Sequence, residues 1–204
     1  MTAVAAVLAL AGGAAGCGSQ QQSPASGRPW RVAYDGYGQV RFAAGHITMR
    51  PARARSAHST HAALVLSARS WRDVSIGVRL RTDRQLRRPR PRPWEVGWVV
   101  WHYVDNQHFY YLALKPDGWE LGKESPGYPG DQRFLATGRT PAFPPGRWYS
   151  VSVQQRGQRI QVSVDGRQLV RFTDSRDPYL GGYVGLYTED ASVTFQPTGL
   201  TAIP

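Results

Sequence analysis

Side chains that could bind a sugar are concentrated between residues 94 and 120. If Asp105 and Asn106 form a two-residue turn, alternate residues of the two flanking strands share one face of a sheet. We expect Lys115 to pair with Glu120 across the next turn, because this register brings opposite charges together. Aromatic rings beside a few hydrogen-bonding groups suit pyranose rings, which have apolar C–H faces and hydroxyls. The predicted glycan-binding face is formed by Trp94, Trp98, His102, Tyr111, Lys115 and Glu120.

The same aromatic residues have an alternative interpretation as core. β-Sandwiches bury Trp and Tyr routinely, so burial is the simpler interpretation of each ring taken singly. The other face of these strands includes Val99, Trp101 and Leu112 and is the more apolar of the two. We therefore predict that this second face is core and that the glycan-binding face is exposed.

Catalysis on a glycoside would require two carboxyl groups about 5–10 Å apart. Glu95 and Glu120 could form such a pair only in a different strand register, and Glu189 and Asp190 lie near a sheet end. In a lyase, a tyrosine or histidine of the predicted face could act as acid or base. We predict a non-catalytic glycan-binding or adhesion module, and a glycoside hydrolase or polysaccharide lyase remains the alternative.

A segment rich in arginine and proline follows the strand predicted at 74–82. Its prolines remove backbone donors and fix an extended backbone, so 81–93 is predicted to be a solvated loop and not a central strand. The net charge of +11 comes almost entirely from arginine. It favours anionic partners, although the arginine bias of a GC-rich genome is the alternative explanation. The residues predicted to bind anions are Arg87, Arg88, Arg90 and Arg92.

The elements that must position these residues are strands. From residue 30 onward, short runs rich in Val, Ile, Tyr, Trp and Leu alternate with Gly, Pro and Asp clusters. Since no helical pattern separates them, two stacked antiparallel sheets are favoured over a parallel arrangement. Hairpin turns are predicted at 155–158 and at Asp165-Gly166. The predicted strands are 39–42, 46–49, 62–67, 74–82, 94–103, 109–115, 119–123, 148–155, 159–164, 168–172, 183–187 and 192–195.

The N-terminus has a short apolar run, 3–11, followed by small residues and by Cys17, the single cysteine. This stretch resembles the lipobox of bacterial lipoproteins, which implies cleavage before Cys17 and attachment of lipid to it. No Lys or Arg precedes the apolar run, which a start codon further upstream would explain. A buried helix start with an incidental thiol is the other interpretation. We predict a signal peptide over 1–17, a flexible tether over 18–29 and one domain over 30–204, lipid-anchored to the outer side of the cytoplasmic membrane.

Several motifs follow one another in a fixed order along residues 30–200. They include WRDV at 71–74, PWEVGWVVW at 93–101, FYYLALK at 109–115 and GLYTEDASVTF at 185–195. In order and spacing they resemble the laminin-G-like and 3-keto-glycoside-hydrolase-like branch of the concanavalin A-like lectin/glucanase superfamily, which also includes family 16 glycoside hydrolases. The resemblance implies an all-β fold, an antiparallel β-sandwich of the jelly-roll type, whose concave sheet often receives glycan. That fold hosts lectins, hydrolases, lyases and adhesion modules alike.

The resemblance also bears on catalysis, metals and partners. The Glu-x-Asp-x-x-Glu run of the glucanases of this fold is missing from the sequence, which favours binding over catalysis. Members of the superfamily often hold structural calcium, so Asp35, Glu189 and Asp190 are candidate ligands, with ordinary turn carboxylates as the alternative. No other cofactor is expected. We expect a monomer whose partner is a polysaccharide or cell-wall glycan. Through the lipid it would also associate with a membrane. Nucleic acid is not expected, since no recognition motif for it occurs.

Overall fold

The structure, a computed structural model, describes residues 29–56 and 58–204. Regular structure in these segments is β-strand, apart from one 3-10 turn at Pro129–Asp131. No helix in the described part of the chain is long and apolar enough to cross a membrane. The strands are β1 (Trp30–Tyr34), β2 (Gln39–Ala43), β3 (His46–Arg50), β4 (Ala62–Trp71), β5 (Val74–Gln85), β6 (Gly97–Asp105), β7 (His108–Lys115), β8 (Gly118–Glu124), β9 (Gln132–Gly138), β10 (Tyr149–Arg156), β11 (Arg159–Val164), β12 (Arg167–Thr173), β13 (Gly182–Glu189) and β14 (Ala191–Ala202).

The strands form two seven-stranded antiparallel sheets that pack face to face, which confirms the predicted β-sandwich. Sheet A has the order β1-β4-β13-β6-β7-β8-β9, and sheet B has the order β12-β11-β10-β5-β14-β3-β2. The consecutive strands β6 to β9 are neighbours, whereas β13 returns from far along the chain to lie between β4 and β6. Side chains from distant parts of the sequence therefore share one surface of sheet A.

Alternation along the strands separates a core face of sheet A from an outer face. Val99, Trp101, Tyr110 and Leu112 lie on the face toward sheet B and are completely buried. They belong to the same cluster as Phe195 of sheet B. Burial of one large apolar side chain stabilises a fold by about 1.5–3 kcal/mol, so this face is the main source of stability. The predicted core face is confirmed.

The arginine-rich segment is partly strand, which corrects the prediction of a loop over 81–93. β5 continues to Gln85 in the middle of sheet B, with Arg81 opposite Thr194 and Arg84 opposite Ser192 of β14. Arg81 and Arg84 stand on the side of the strand that is not core, so their charge does not oppose pairing. The loop begins only after Gln85, where β5 ends.

Twelve observed strands correspond to predicted ones, and the turn at Asp165-Gly166 is confirmed. Both of its residues have positive φ, 51° and 76°, as a two-residue hairpin of this type requires. β1 and β9 were not predicted, because both are edge strands of sheet A with few fully apolar positions. β9 proves important for the site.

A buried ion-pair network holds three segments of the fold together. The Arg87 guanidinium pairs with Glu95 and, at 2.6 Å, with Asp190, and all three side chains are at most 8% exposed. Arg87 also donates hydrogen bonds of 3.0 Å to the carbonyl oxygens of Ser56 and Ser59. The network therefore connects the β3–β4 loop, the β5–β6 loop and the β13–β14 turn.

Replacement of Arg87 by Gln should lower the free energy of unfolding by about 3–5 kcal/mol, because it leaves two buried carboxylates without their cation. Arg90→Gln in the same loop removes an exposed arginine and should change stability by less than about 0.5 kcal/mol. Chemical denaturation of both variants makes the comparison. Equal, small effects of the two changes would show that the network does not hold the loops.

Candidate functional site

The outer face of sheet A is formed by alternate residues of β13, β6, β7 and β8 that point away from sheet B. One row across it runs through the paired residues Tyr187, Trp98, Ala113 and Glu120. Sequence reasoning placed Trp98, Tyr111, Lys115 and Glu120 on one face, and the structure brings these four together.

Three aromatic rings form the floor of this face. The Trp98 ring centroid lies 4.7 Å from that of Tyr111 and 5.3 Å from that of Tyr187. The exposed fractions are 4% for Trp98, 0% for Tyr111 and 5% for Tyr187. The prediction that Trp98 and Tyr111 form an exposed platform is therefore wrong, because the rings pack against one another and against neighbours such as Val100.

A glycine on β8 gives Tyr111 its position. Tyr111 is opposite Gly122, and a Cβ at Gly122 would lie only 2.3 Å from the Tyr111 hydroxyl oxygen. The ring therefore lies across the β8 backbone, in space that any other residue would fill. From there the hydroxyl reaches a carboxylate two residues away along β8.

That carboxylate, Glu120, is held by two donors. The Tyr111 hydroxyl donates to Glu120 Oε1 at 2.8 Å, and Lys115 Nζ donates to Oε2 at 3.0 Å. The predicted ion pair is thus present, but the register differs by two residues: Lys115 is opposite Gly118, and Glu120 is opposite Ala113. A shift by two residues keeps every side chain on its face, so the predicted face of these residues is still correct.

Two further carboxyl groups on the outer face, Glu124 and Glu189, are nearly buried. Burial, reinforced by the charge of Glu189, raises the pKa of Glu124 to about 8. Burial likewise raises the pKa of Glu189 to about 7, against the effect of a 2.6 Å hydrogen bond from the Tyr187 hydroxyl. Carboxyl groups with such pKa values are partly protonated near neutral pH and can both donate and accept hydrogen bonds.

His102 does not belong to the predicted face. Its φ of 49° marks an irregularity of β6 that turns the side chain out of the expected alternation. The ring contacts Tyr110, a core residue, and its two nitrogens lie 2.7 Å from the carbonyl oxygens of Tyr179 and Arg72. Burial lowers the pKa of His102, and the side chain is part of the interior.

Trp94 lies at the rim of the outer face. Its carbonyl oxygen accepts a 2.8 Å hydrogen bond from Trp98 Nε1, and its half-buried side chain packs against the aromatic floor. The Arg92 guanidinium lies 5.4 Å from the centroid of the Trp94 ring, a cation–π contact.

The open part of the outer face is a groove of about 430 Å³ along β8 and β9, which we call the edge groove. Phe134 of β9 is opposite Gly122 and is 53% exposed, and it lines the groove together with Lys115, Glu120 and Thr137. Sequence reasoning missed Phe134 because β9 was not recognised. An aromatic residue in a short strand-like run, QRFLATG, was the available signal.

The other predicted site residues are distributed over the structure. Asp190 Oδ1 accepts the backbone N–H groups of Ala54 and His61, and Asp35 accepts that of Tyr37 in a turn. Among the described residues, no three acidic, His or Cys side chains are grouped as metal ligands, and structural calcium at Asp35, Glu189 and Asp190 stays a prediction. Cys17 lies outside the described residues, and its lipidation stays a prediction.

The predicted anion-binding residues separate into two kinds. Arg87 is buried in the ion-pair network, which corrects its assignment to an exposed binding loop. Arg88 and Arg90 are exposed, and Arg92 is half-buried beside Trp94.

The fold is an antiparallel β-sandwich that is similar to lectin-like and carbohydrate-binding domains of known structure. Its sheets align with the carbohydrate-binding module CBM66 from Bacillus subtilis (TM-score 0.64, 16% identity, 85% of this chain and 96% of that one). They also align with the exoplasmic/lumenal domain of VIP36 in its Ca²⁺/Man3GlcNAc-bound form (TM-score 0.60, 12% identity, 86% and 84%). A native glycosidic hydrolase aligns with a TM-score of 0.52 at 14% identity, over 85% and 92%.

The amino-acid sequence shows the family to which the chain belongs. The pattern of the 3-keto-alpha-glucoside-1,2-lyase-like domain matches residues 25–197, and the chain belongs to this family. No curated protein sequence matches this chain.

The raised pKa values of Glu124 and Glu189 predict a loss of stability with rising pH. Between about pH 4.5, the ordinary carboxyl value, and about pH 8, the folded state holds more protons than the unfolded state. The free energy of unfolding should therefore fall across this window, by about 2 kcal/mol or more. The double variant Glu124→Gln/Glu189→Gln should flatten the profile.

Urea unfolding at pH 5 and pH 9 measures this effect. Asp117→Asn, which neutralises an exposed carboxylate, is the control and should keep the wild-type slope. A double variant that retains the wild-type slope would mean that these carboxyl groups ionise normally.

Proposed function

We propose that the protein binds a glycoside on the outer face of sheet A, with one sugar ring in the edge groove. The observation that carries this proposal is the exposed Phe134 ring next to the Glu120–Lys115 pair. An aromatic face would contact the C–H face of a pyranose, and the charged pair would bind its hydroxyls.

The Glu120 carboxylate is held in a fixed position from which it can accept hydrogen bonds from a sugar. Its two donors fix the position of the side chain, and each carboxylate oxygen has a further lone pair for a sugar hydroxyl. Lys115 has donors left for a second hydroxyl, because one of its three is used by Glu120. A rigid site of this kind loses little entropy when a ligand binds.

The comparisons support this proposal at the level of class. CBM66 is a carbohydrate-binding module, the VIP36 domain was solved with Man3GlcNAc, and the family is described by a lyase that acts on glucosides. The glucanase carboxylate run is missing from the sequence, so we favour binding without cleavage.

Phe134→Ala should weaken saccharide binding by about two- to tenfold, since an aromatic contact contributes about 0.5–1.5 kcal/mol. Leu180→Ala removes another exposed apolar side chain, outside the edge groove, and is the control. Binding of a panel of glucosides and oligosaccharides is measured by calorimetry at low and high salt, and the loss should not depend on salt. A Phe134→Ala protein that binds as tightly as the control would contradict the location of the site.

A second candidate function, cleavage of a 3-keto-glycoside, is favoured by the pKa values of Glu124 and Glu189. A 3-keto group makes the C2–H of the sugar acidic, so a base can remove that proton. The electron pair then forms a C1–C2 double bond as the C1–O bond breaks, and an acid protonates the departing oxygen. Two carboxyl groups with pKa values near 7 and 8 could serve as the base and the acid.

Incubation with a 3-keto-glucoside and detection of the released alcohol separates the two functions. If the protein is an enzyme, Glu124→Gln or Glu189→Gln should lower the turnover by about 10²-fold or more, whereas Phe134→Ala should mainly raise KM. Binding of the glucoside without any release would leave the binding function and exclude cleavage of this substrate.

A further inference from the structure

Six arginines line a cleft of about 400 Å³ between the β3–β4 and β5–β6 loops. We call it the arginine cleft. No carboxylate lines it among the residues that the structure describes. Arg53 and Arg55 come from the first loop. The second loop contributes Arg88, Arg90 and Arg92 together with Arg87, which is already paired in the network. Sequence reasoning could not join the two groups, because more than 30 residues of chain separate them.

The arginine cleft is built by the ion-pair network beneath it. Arg87 binds the carbonyl oxygens of Ser56 and Ser59, and Asp190 accepts the N–H of Ala54 at 3.2 Å. These contacts fix the first loop against the second. The exposed guanidinium groups are therefore gathered before any ligand arrives, which lowers the entropic cost of binding.

The network also leaves the arginine cleft strongly positive. The two carboxylates of the network, Glu95 and Asp190, are both paired with Arg87 and are buried. Among the described residues, Arg53, Arg55, Arg88 and Arg90 form no ion pair with a carboxylate. Like charges gathered in this way repel one another, and an anion relieves this repulsion. Guanidinium groups bind the planar or tetrahedral oxygens of carboxylate, sulfate and phosphate by paired hydrogen bonds.

The arginine cleft is continuous with the outer face of sheet A. Arg92, at the cleft, contacts the Trp94 ring, and Trp94 packs on the aromatic floor and accepts a hydrogen bond from Trp98. The edge groove lies at β8 and β9, so it is about 10–14 Å from β6 at the usual spacing between neighbouring strands. An oligosaccharide could reach both, and a single sugar could not.

We propose that the arginine cleft binds an anionic substituent of the same oligosaccharide whose sugar ring occupies the edge groove. This inference rests on the proposed function and narrows its ligand to an acidic glycan. The shared chemistry is an oxyanion, supplied either by a uronate carboxylate or by a sulfate ester.

The test compares two quadruple variants of the full chain. Arg53, Arg55, Arg88 and Arg90 are changed to Ser in the cleft variant, which keeps Arg87 and Arg92 in place. The control variant changes Arg147, Arg159, Arg167 and Arg171 to Ser; all four are exposed, and three of them lie on β11 and β12 of sheet B, so the loss of charge is equal. Calorimetry measures binding of oligogalacturonate, of sulfated dextran oligosaccharide and of the neutral oligosaccharide that binds best in the Phe134 experiment.

We expect the cleft variant to bind at least one acidic oligosaccharide about tenfold or more weakly than the control variant, and to lose most of the salt dependence between about 50 and 500 mM NaCl. The arm that responds, carboxylate or sulfate, identifies the oxyanion. Neutral oligosaccharide should bind equally to both variants.

Three results would show which part of the proposal fails. Equal affinity of the cleft and control variants for both acidic ligands, with neutral binding still sensitive to Phe134→Ala, overturns the arginine cleft and leaves the proposed function. Acidic binding that depends on the cleft but not on Phe134 overturns the shared ligand. Cleft-dependent binding to phosphatidylglycerol vesicles without binding of either acidic oligosaccharide overturns the glycan assignment in favour of a membrane surface.

Discussion

The Tyr111 ring lies across β8 because Gly122 has no side chain, and its hydroxyl donates a hydrogen bond to Glu120. The rest of the outer face depends on this contact. Tyr111 packs beside Trp98, which in turn contacts Tyr187, whose hydroxyl binds Glu189. A chain of rings thus joins two carboxyl groups on β8 and β13, strands that are far apart in sequence.

The outer face of sheet A holds buried acidic groups, although the net charge of the chain is positive. The net charge is +11, yet this face has three nearly buried glutamates, Glu120, Glu124 and Glu189. Burial costs these groups the hydration of their charged form. It raises the pKa of Glu124 and of Glu189, whereas Glu120 pairs with Lys115. Such groups are more valuable for recognition or acid–base chemistry than for stability.

The fold was accessible from the sequence because alternation and turn residues specify a β-sandwich strongly. The core face of β6 and β7 followed from the same alternation, and an error of two residues in the β7–β8 register changed nothing on either face. His102 could not be placed, because an irregularity in β6 leaves no signature in residue type. Phe134 and the pairing of Arg87 with Asp190 depend on strands and loops that meet only in the folded chain.

We propose that a saccharide binds along β7 to β9 on the outer face of sheet A. Titration of ¹⁵N-labelled protein with a saccharide that binds it, followed through the backbone amide resonances, tests this most directly. The shifted amides should be concentrated around Gly122, Phe134 and Thr137. Shifts confined to the groove on sheet B that Arg156, Arg159 and Arg171 line would contradict it.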